Sequence, residues 1–187
     1  MGIALAECAS EMGASVNLVL GPVDIKPSLK NINVTNVTSA ASMADACLSF
    51  FPDCDIAILS AAVADFTPVA VADNKMKKQE SNILLKLKPT IDIAATLGKI
   101  KKQNQILVGF ALETDDEIEN AQKKLLNKNM DFIVLNSLND EGAGFGYDTN
   151  KITIIDRNNI IDNFELKSKD EVAKDILDKI VLMTVGT

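Results

Sequence analysis

With 187 residues, 47% of them apolar, and a net charge of −7, the chain can bury one sizeable core and reads as a single domain. A lone arginine, Arg157, and the acidic balance exclude a basic face for nucleic acid, and the absence of histidine removes the usual general base near neutral pH. No CxxC spacing joins Cys8, Cys47 and Cys54, and neither a run of roughly 20 apolar residues nor a basic leader is present, so a cytoplasmic chain with no zinc or membrane partner is expected.

In chain order, Gly2 to Met12 places Ile3, Leu5, Ala6, Cys8, Ala9 and Met12 at three- and four-residue spacings, with Gly13 as the stop, which predicts a helix. Ser15 to Leu20 and Asn31 to Val37 predict strands, the second alternating as an edge strand does, with Gly21-Pro22 ending the first. A helix is expected over Ser42 to Phe51, with Ser42 as its N-cap and Pro52 just past its end. Asp55 to Leu59 is a short apolar run of the kind buried on both faces of a parallel sheet. Thr67 to Asp73 reads as loop and Asn82 to Leu87 as a strand, so that two extended pieces flank the lysines at 75, 77 and 78 in a protruding flap.

A short helix over Ile91 to Leu97, a buried strand over Gln105 to Ala111, a helix over Asp115 to Asn129 and a strand over Asp131 to Leu135 follow. The long helix carries acids in its first turn and Lys123, Lys124 and Lys128 toward its end, matching the macrodipole. Asn136 to Asn150 is a glycine-rich loop, long enough to suggest function. Lys151 to Ile155 and Ile160 to Leu166 predict a hairpin around Arg157-Asn158-Asn159, and Ser168 to Leu182 a closing amphipathic helix. Strands alternating with helices predict an α/β fold, a doubly wound, mostly parallel Rossmann-like sheet with a protruding β flap.

The chemistry concentrates in Cys54 to Gln79, where the apolar strand breaks into Ser60, Ala61 and Ala62, one carboxylate follows at Asp65, and Lys75, Lys77 and Lys78 arrive together. Ligands of open α/β sheets bind outside the carboxyl ends of the strands, so this grouping points to an anionic, phosphorylated ligand. Asp65 can be a solvated loop acid, or it can bind a nucleotide or hold a magnesium ion. The lysine cluster can be an exposed turn, or a flap closing over a triphosphate. Lys124 and Lys128, four apart on one helix face, have solvated charge as their plain reading, and Phe110 has a core role. The Gly142-Ala-Gly144-Phe-Gly146 run lacks a following helix, so it is not a dinucleotide fingerprint.

At SAAVADF (60 to 66), KMKK (75 to 78), VGFALET (108 to 114) and GAGFGYDTN (142 to 150) the chain resembles phosphopantothenoylcysteine synthetase, the ligase domain of the bacterial coenzyme A flavoprotein. The resemblance runs in family order over nearly the whole chain, with Met1-Gly2 similar to the end of the family's SSGKMG segment. It implies that CTP activates 4′-phosphopantothenate as an acyl-cytidylate, releasing pyrophosphate, and that cysteine then displaces CMP. It further implies that Lys75 engages the triphosphate, that Asp65 contacts the nucleotide and its Mg2+, and that Leu59, Ser60 and Ala61 lie beneath the nucleotide. Phe110, Lys124 and Lys128 match further CTP contacts, and Ala62 matches an alanine near the acyl intermediate. Lys88 to Ile91 aligns with a cytosine-reading stretch, but KPTI departs from the family's VKNP type.

The family carries a first strand and an asparagine loop ahead of SSGKMG that this chain does not contain, so a single ligase domain over 1–187, truncated at its amino terminus, is expected. The same resemblance implies a homodimer, and fusion to or association with a flavin-dependent decarboxylase domain, with no FMN in this chain. Two other readings stand beside it: a nicotinamide-dependent oxidoreductase on a Rossmann sheet, against which the missing strand-GxGxxG-helix pattern counts, and a nucleotide-binding module without catalysis.

Overall fold

The computed structural model describes residues 1–29, 31–70, 74, 83–113, 115–137 and 147–185. Helix α1 spans Gly2–Glu11 and leads to strands β1 (Val16–Leu20) and β2 (Ile32–Asn36), which pair in parallel from Val16↔Ile32 to Leu20↔Asn36. Gly13 turns the chain out of α1 at φ +92°, a left-handed conformation that a Cβ resists. Helix α2 spans Ala40–Phe50 and starts earlier than the sequence suggests. Its N-cap is Ser39, not Ser42: the Ser42 N–H donates to Ser39 Oγ at 3.1 Å, and the Ser39 N–H donates to Ser42 Oγ at 3.1 Å. The expected cap is therefore the third helical residue of a reciprocal capping box, which extends the helix by two residues.

A 3-10 turn at Phe51–Asp53 precedes β3 (Ile56–Leu59), and β4 (Phe66–Pro68) pairs antiparallel with β5 (Leu87–Pro89). These two short strands are the base of the expected flap. The strand expected over Asn82 to Leu87 begins only at Leu87, and the loop expected from Thr67 opens inside β4. The base is anchored locally: the Thr90 N–H donates to the Asp65 carbonyl at 2.9 Å and Thr90 Oγ1 to the Ala64 carbonyl at 2.6 Å. Lys75, Lys77, Lys78 and the 142–146 glycines lie outside the described residues.

Helix α3 (Ile93–Ile100), β6 (Ile106–Glu113), α4 (Glu117–Asn127) and β7 (Phe132–Ser137) follow at the expected places with shifted ends. The last part comprises β8 (Thr149–Asn150), β9 (Thr153–Asp156), β10 (Ile161–Asn163), β11 (Lys167–Ser168) and α5 (Lys169–Val185). The β9–β10 turn forms as anticipated because Asp156 Oδ1 accepts the Asn158 and Ile160 N–H groups at 2.9 and 3.0 Å, while Asn159 takes φ +60°. Pairing of β8 with β11 was not legible beforehand.

Five strands form one sheet in the order β10-β9-β7-β6-β3, with β3, β6 and β7 parallel, β9 antiparallel to them, and β10 antiparallel to β9 and so running in the direction of the first three. Helices cover both faces. Leu107, Ala111, Ile133, Leu135 and Ile155 meet residues of α2, α3 and α4 on one side; Val108, Phe132, Val134, Ile152 and Ile154 meet α1 and α5 on the other. Residues such as Ile133, Val134 and Ile154 are fully buried, each stabilising the fold by about 1.5–3 kcal/mol relative to exposure.

The β1–β2 pair stands as a separate sheet, although α1 and α2 each pack on β1 as well as beside the five-stranded sheet. Strand β3 is covered on both faces as expected, by Ala57 and Leu59 on the α2 side and Ile58 on the α1–α5 side, but its burial is only partial: it is the outermost strand of its sheet, pairing only with β6 among the described residues, and Ile56 is 39% exposed. At the amino edge, Lys101 Nζ reaches both carboxylate oxygens of Asp131 at 2.6 Å, and Asp131 Oδ2 accepts the Leu107 N–H at 2.7 Å. That part-buried network ties the end of α3 to the starts of β6 and β7, at the edge opposite their carboxyl ends.

Candidate functional site at the carboxyl edge of the sheet

Because β3, β6 and β7 are parallel, their carboxyl ends open on one edge, and Leu59, Ser60, Ala61, Phe110 and Ala62 are gathered there or immediately beyond it. Strand alternation sorts them. Leu59 belongs to the cluster under α2, so its side chain anchors the strand and its backbone is what remains for a ligand. Phe110 packs with the α1–α5 cluster, half-buried, which combines the core role with a ring near the edge. Ala61 and Ala62 are exposed, and small side chains keep that backbone approachable. Helix α1 begins against the same point: a Cβ on Gly2 would sit 2.9 Å from Ser60 Oγ, so only glycine permits this approach without displacing the serine.

Asp65 is exposed at the flap base, its position set by the Thr90 hydrogen bonds to residues 64 and 65. Among the described residues no group of three or more Cys, Asp or Glu side chains could enclose a metal ion. A single exposed carboxylate still fits Mg2+, a hard cation that commonly takes one or two carboxylates and completes its shell with phosphate oxygens and water.

Lys124 and Lys128 do not share a partner. Lys124 Nζ pairs with Glu113 Oε1 at 2.5 Å, at the carboxyl end of β6. Lys128 caps the end of α4 and reaches Asp92 Oδ2 at 3.0 Å, and Asp92 Oδ1 accepts the Ala95 N–H at 2.9 Å as the N-cap of α3. Burial pushes the Asp92 pKa upward, yet the Ala95 N–H and the Lys128 ammonium outweigh it and hold the carboxyl below its ordinary value. Both lysines are thus held by acids that phosphate oxygens can replace, instead of waving in solvent. Glu113 and Asp92 were not picked out from the sequence; Asp92, just ahead of the α3 apolar pattern, carried an N-cap signal that could have found it. Lys75, the remaining expected contact, lies outside the described residues.

Gly98 explains why Lys128 can reach Asp92. A side chain there would collide with the Lys128 carbonyl, and Asn129 Nδ2 donates to the Gly98 carbonyl at 2.8 Å, so the end of α4 rests directly on the α3 backbone.

A family model described as the DNA/pantothenate metabolism flavoprotein C-terminal domain matches residues 1–183. The chain is 62% identical over 183 residues to a protein named Cysteine/Cysteine sulfinic acid decarboxylase from an unknown prokaryotic organism, across 98% of this chain and 51% of that one. It is 46% identical over 187 residues to the Coenzyme A biosynthesis bifunctional protein CoaBC of Bacillus subtilis (strain 168), across 100% of this chain and 46% of the relative. The chain therefore spans about half the length of the curated relatives it matches. Among solved structures it is similar to the C-terminal domain of CoaBC, with TM-score 0.83 and 34% identity over 100% of this chain and 83% of that one.

Proposed function

The chain belongs to the DNA/pantothenate metabolism flavoprotein C-terminal domain family, and from that premise we propose that it joins 4′-phosphopantothenate to cysteine in coenzyme A biosynthesis, with CTP as the activating nucleotide. What supports the reading is the coincidence of two things: a family match over residues 1–183, and the convergence of Ser60, Ala61 and Phe110 on one carboxyl edge, toward which Lys124 reaches through Glu113.

In the first step a carboxylate oxygen of 4′-phosphopantothenate attacks the α-phosphorus of CTP; a P–O bond forms and the bond to pyrophosphate breaks. In the second the cysteine amine attacks the acyl carbon, the C–O bond to CMP breaks, and the amine proton passes to solvent. Activation supplies the leaving group, so neither step requires histidine. The backbone at Leu59, Ser60 and Ala61 lies under the nucleotide, Phe110 lies beside it, and Lys124 and Lys128 bind its phosphates as Glu113 and Asp92 release them. Lys75 neutralises the triphosphate, Asp65 contacts the nucleotide, and Ala62 adjoins the acyl group. Mg2+ held by Asp65 and the phosphates would withdraw charge from the transferring group.

The apolar side chains of Phe66, Val69, Leu84, Leu85 and Leu87 are exposed around the flap base, the feature that supports a homodimer. None of the helices among the described residues is long and apolar enough to cross a membrane. Action in the cytoplasm is part of the same proposal. Association with a decarboxylase domain is proposed from the bifunctional relative.

The test supplies the full chain with CTP, Mg2+, 4′-phosphopantothenate and cysteine and measures pyrophosphate. Release is expected, with Lys75→Gln reducing it more than Lys77→Gln; no release from the unmodified chain ends the ligase reading, and equal losses remove the special role of Lys75. Tight CTP binding without release would leave a nucleotide-binding module.

A further inference from the structure

A pair of asparagines at the same edge has an orientation that can be worked out from one backbone donor. Asn136 lies near the carboxyl end of β7, opposite Leu112 of β6, and strand alternation puts it on the face of Phe132 and Val134, which packs against α1 and α5. Asn150, on β8, is only 3% exposed. The Lys151 N–H donates to Asn150 Oδ1 at 3.1 Å. An N–H can only donate, so that amide oxygen is the acceptor and the amide nitrogen is turned the other way. Asn150 Nδ2 then donates to Asn136 Oδ1 at 3.1 Å. The orientation propagates: with its oxygen engaged, Asn136 presents its own NH2, which has no partner among the described residues.

Met1 Sδ lies 3.9 Å from Asn150 Nδ2, and the adjacent Gly2 abuts Ser60, so a continuous line runs from the end of β3 across the start of α1 to Asn150 and Asn136. All of it lies on the α1 side of the edge. Lys124 and Lys128 approach from α4, which covers the other face. A ligand that uses both sides therefore has its phosphate-rich part toward α4 and another part along the α1 side.

Resting on the ligase reading above, we propose that Asn136 is a substrate-binding residue whose amide NH2 donates to an oxygen of the acyl substrate, and that Asn150 is the positioning residue that fixes its orientation. An NH2 held this way accepts nothing, so it selects an oxygen acceptor, such as a carbonyl or hydroxyl oxygen of the pantothenate portion, over a donor at the same place. The role of Asn150 is distinct, because its side chain is enclosed and acts only through Asn136.

Isothermal titration of the full chain with 4′-phosphopantothenate and, separately, with CTP tests this, using the unmodified chain, Asn136→Ala, Asn136→Asp and Asn150→Ala. Asn136→Ala is expected to weaken 4′-phosphopantothenate binding by about tenfold, the scale of one lost ligand hydrogen bond, and to leave CTP binding within about twofold. Asn136→Asp, which exchanges the donor for an acceptor at nearly the same size, weakens it further. Asn150→Ala is expected to reproduce the selective loss, whereas a merely structural role would lower both affinities together. Unchanged 4′-phosphopantothenate binding in Asn136→Ala, or an equal loss for CTP, overturns the assignment while leaving the ligase reading standing. Failure of the unmodified chain to bind 4′-phosphopantothenate removes the ligase reading and this assignment with it.

Discussion

Gly98→Ala separates two effects of opposite sign. Helix propensity alone favours alanine over glycine inside a helix by about 1 kcal/mol, so a slack α3 would be stabilised. The tertiary structure says otherwise. Gly98 is buried in α3, the new Cβ would overlap the Lys128 carbonyl carbon and oxygen, and it would lie 3.3 Å from Asn129 Cβ. The obstacle is backbone, which no rotamer change can clear, so α4 must move away, at a cost of about 1–3 kcal/mol for overpacking. Separation also weakens the hydrogen bond from Asn129 Nδ2 to the Gly98 carbonyl, 2.8 Å long, which contributes about 1 kcal/mol. After the propensity gain is offset, a net loss of about 1–3 kcal/mol remains. Urea unfolding with linear extrapolation measures it, and a thermal scan should show a fall of about 3–10 °C for a chain of this size. The same displacement draws Lys128 from Asp92 and should weaken CTP binding. A variant as stable as the parent, or more so, would refute the close α3–α4 contact and with it the explanation of how Lys128 is placed.

Asp131→Ala strands the Lys101 ammonium, whose side chain is 8% exposed, and deprives the Leu107 N–H of its acceptor; a loss of about 3–5 kcal/mol in urea unfolding is expected, and a loss under about 1 kcal/mol would count against the network. Asp92 has a lowered folded pKa, so its contribution is present above the unfolded value of about 3.9 and is lost as pH falls through the folded value. The urea midpoint of the parent should therefore drop more steeply below about pH 4 than that of Asp92→Asn, and parallel curves would refute the linkage. By hydrogen exchange, the β3 amides that do not point to β6 should exchange fast, while β6 and β7, paired on both sides, stay protected; uniform protection across β3 would contradict its place at the end of the sheet.

Much of the frame was readable from residue order. The α1 pattern ending at Gly13, the apolar runs that became β3, β6 and β7, and the acid-to-base gradient along α4 are local periodicities and charges that a helix or strand expresses wherever it packs. Boundaries were less legible where a neighbour sets them: Ser39 takes the cap because Ser42 reciprocates, and β5 extends only over Leu87–Pro89, the residues that find β4 as a partner.

Amino-acid order by itself determined the α/β class and the apolar runs whose carboxyl edge gathers Ser60, Ala61 and Phe110. Tertiary structure alone decided who holds whom: Lys124 with Glu113, Lys128 with Asp92 across the bare backbone of Gly98, and Asn150 with Asn136. It also decided that β1–β2 stands apart from the main sheet, leaving β3 half-open. The physical reason is the same in each case. Periodicity records which face of an element is buried, whereas a partner chosen across 11, 36 or 14 residues is set by how two elements pack, as with 113 and 124, 92 and 128, or 136 and 150.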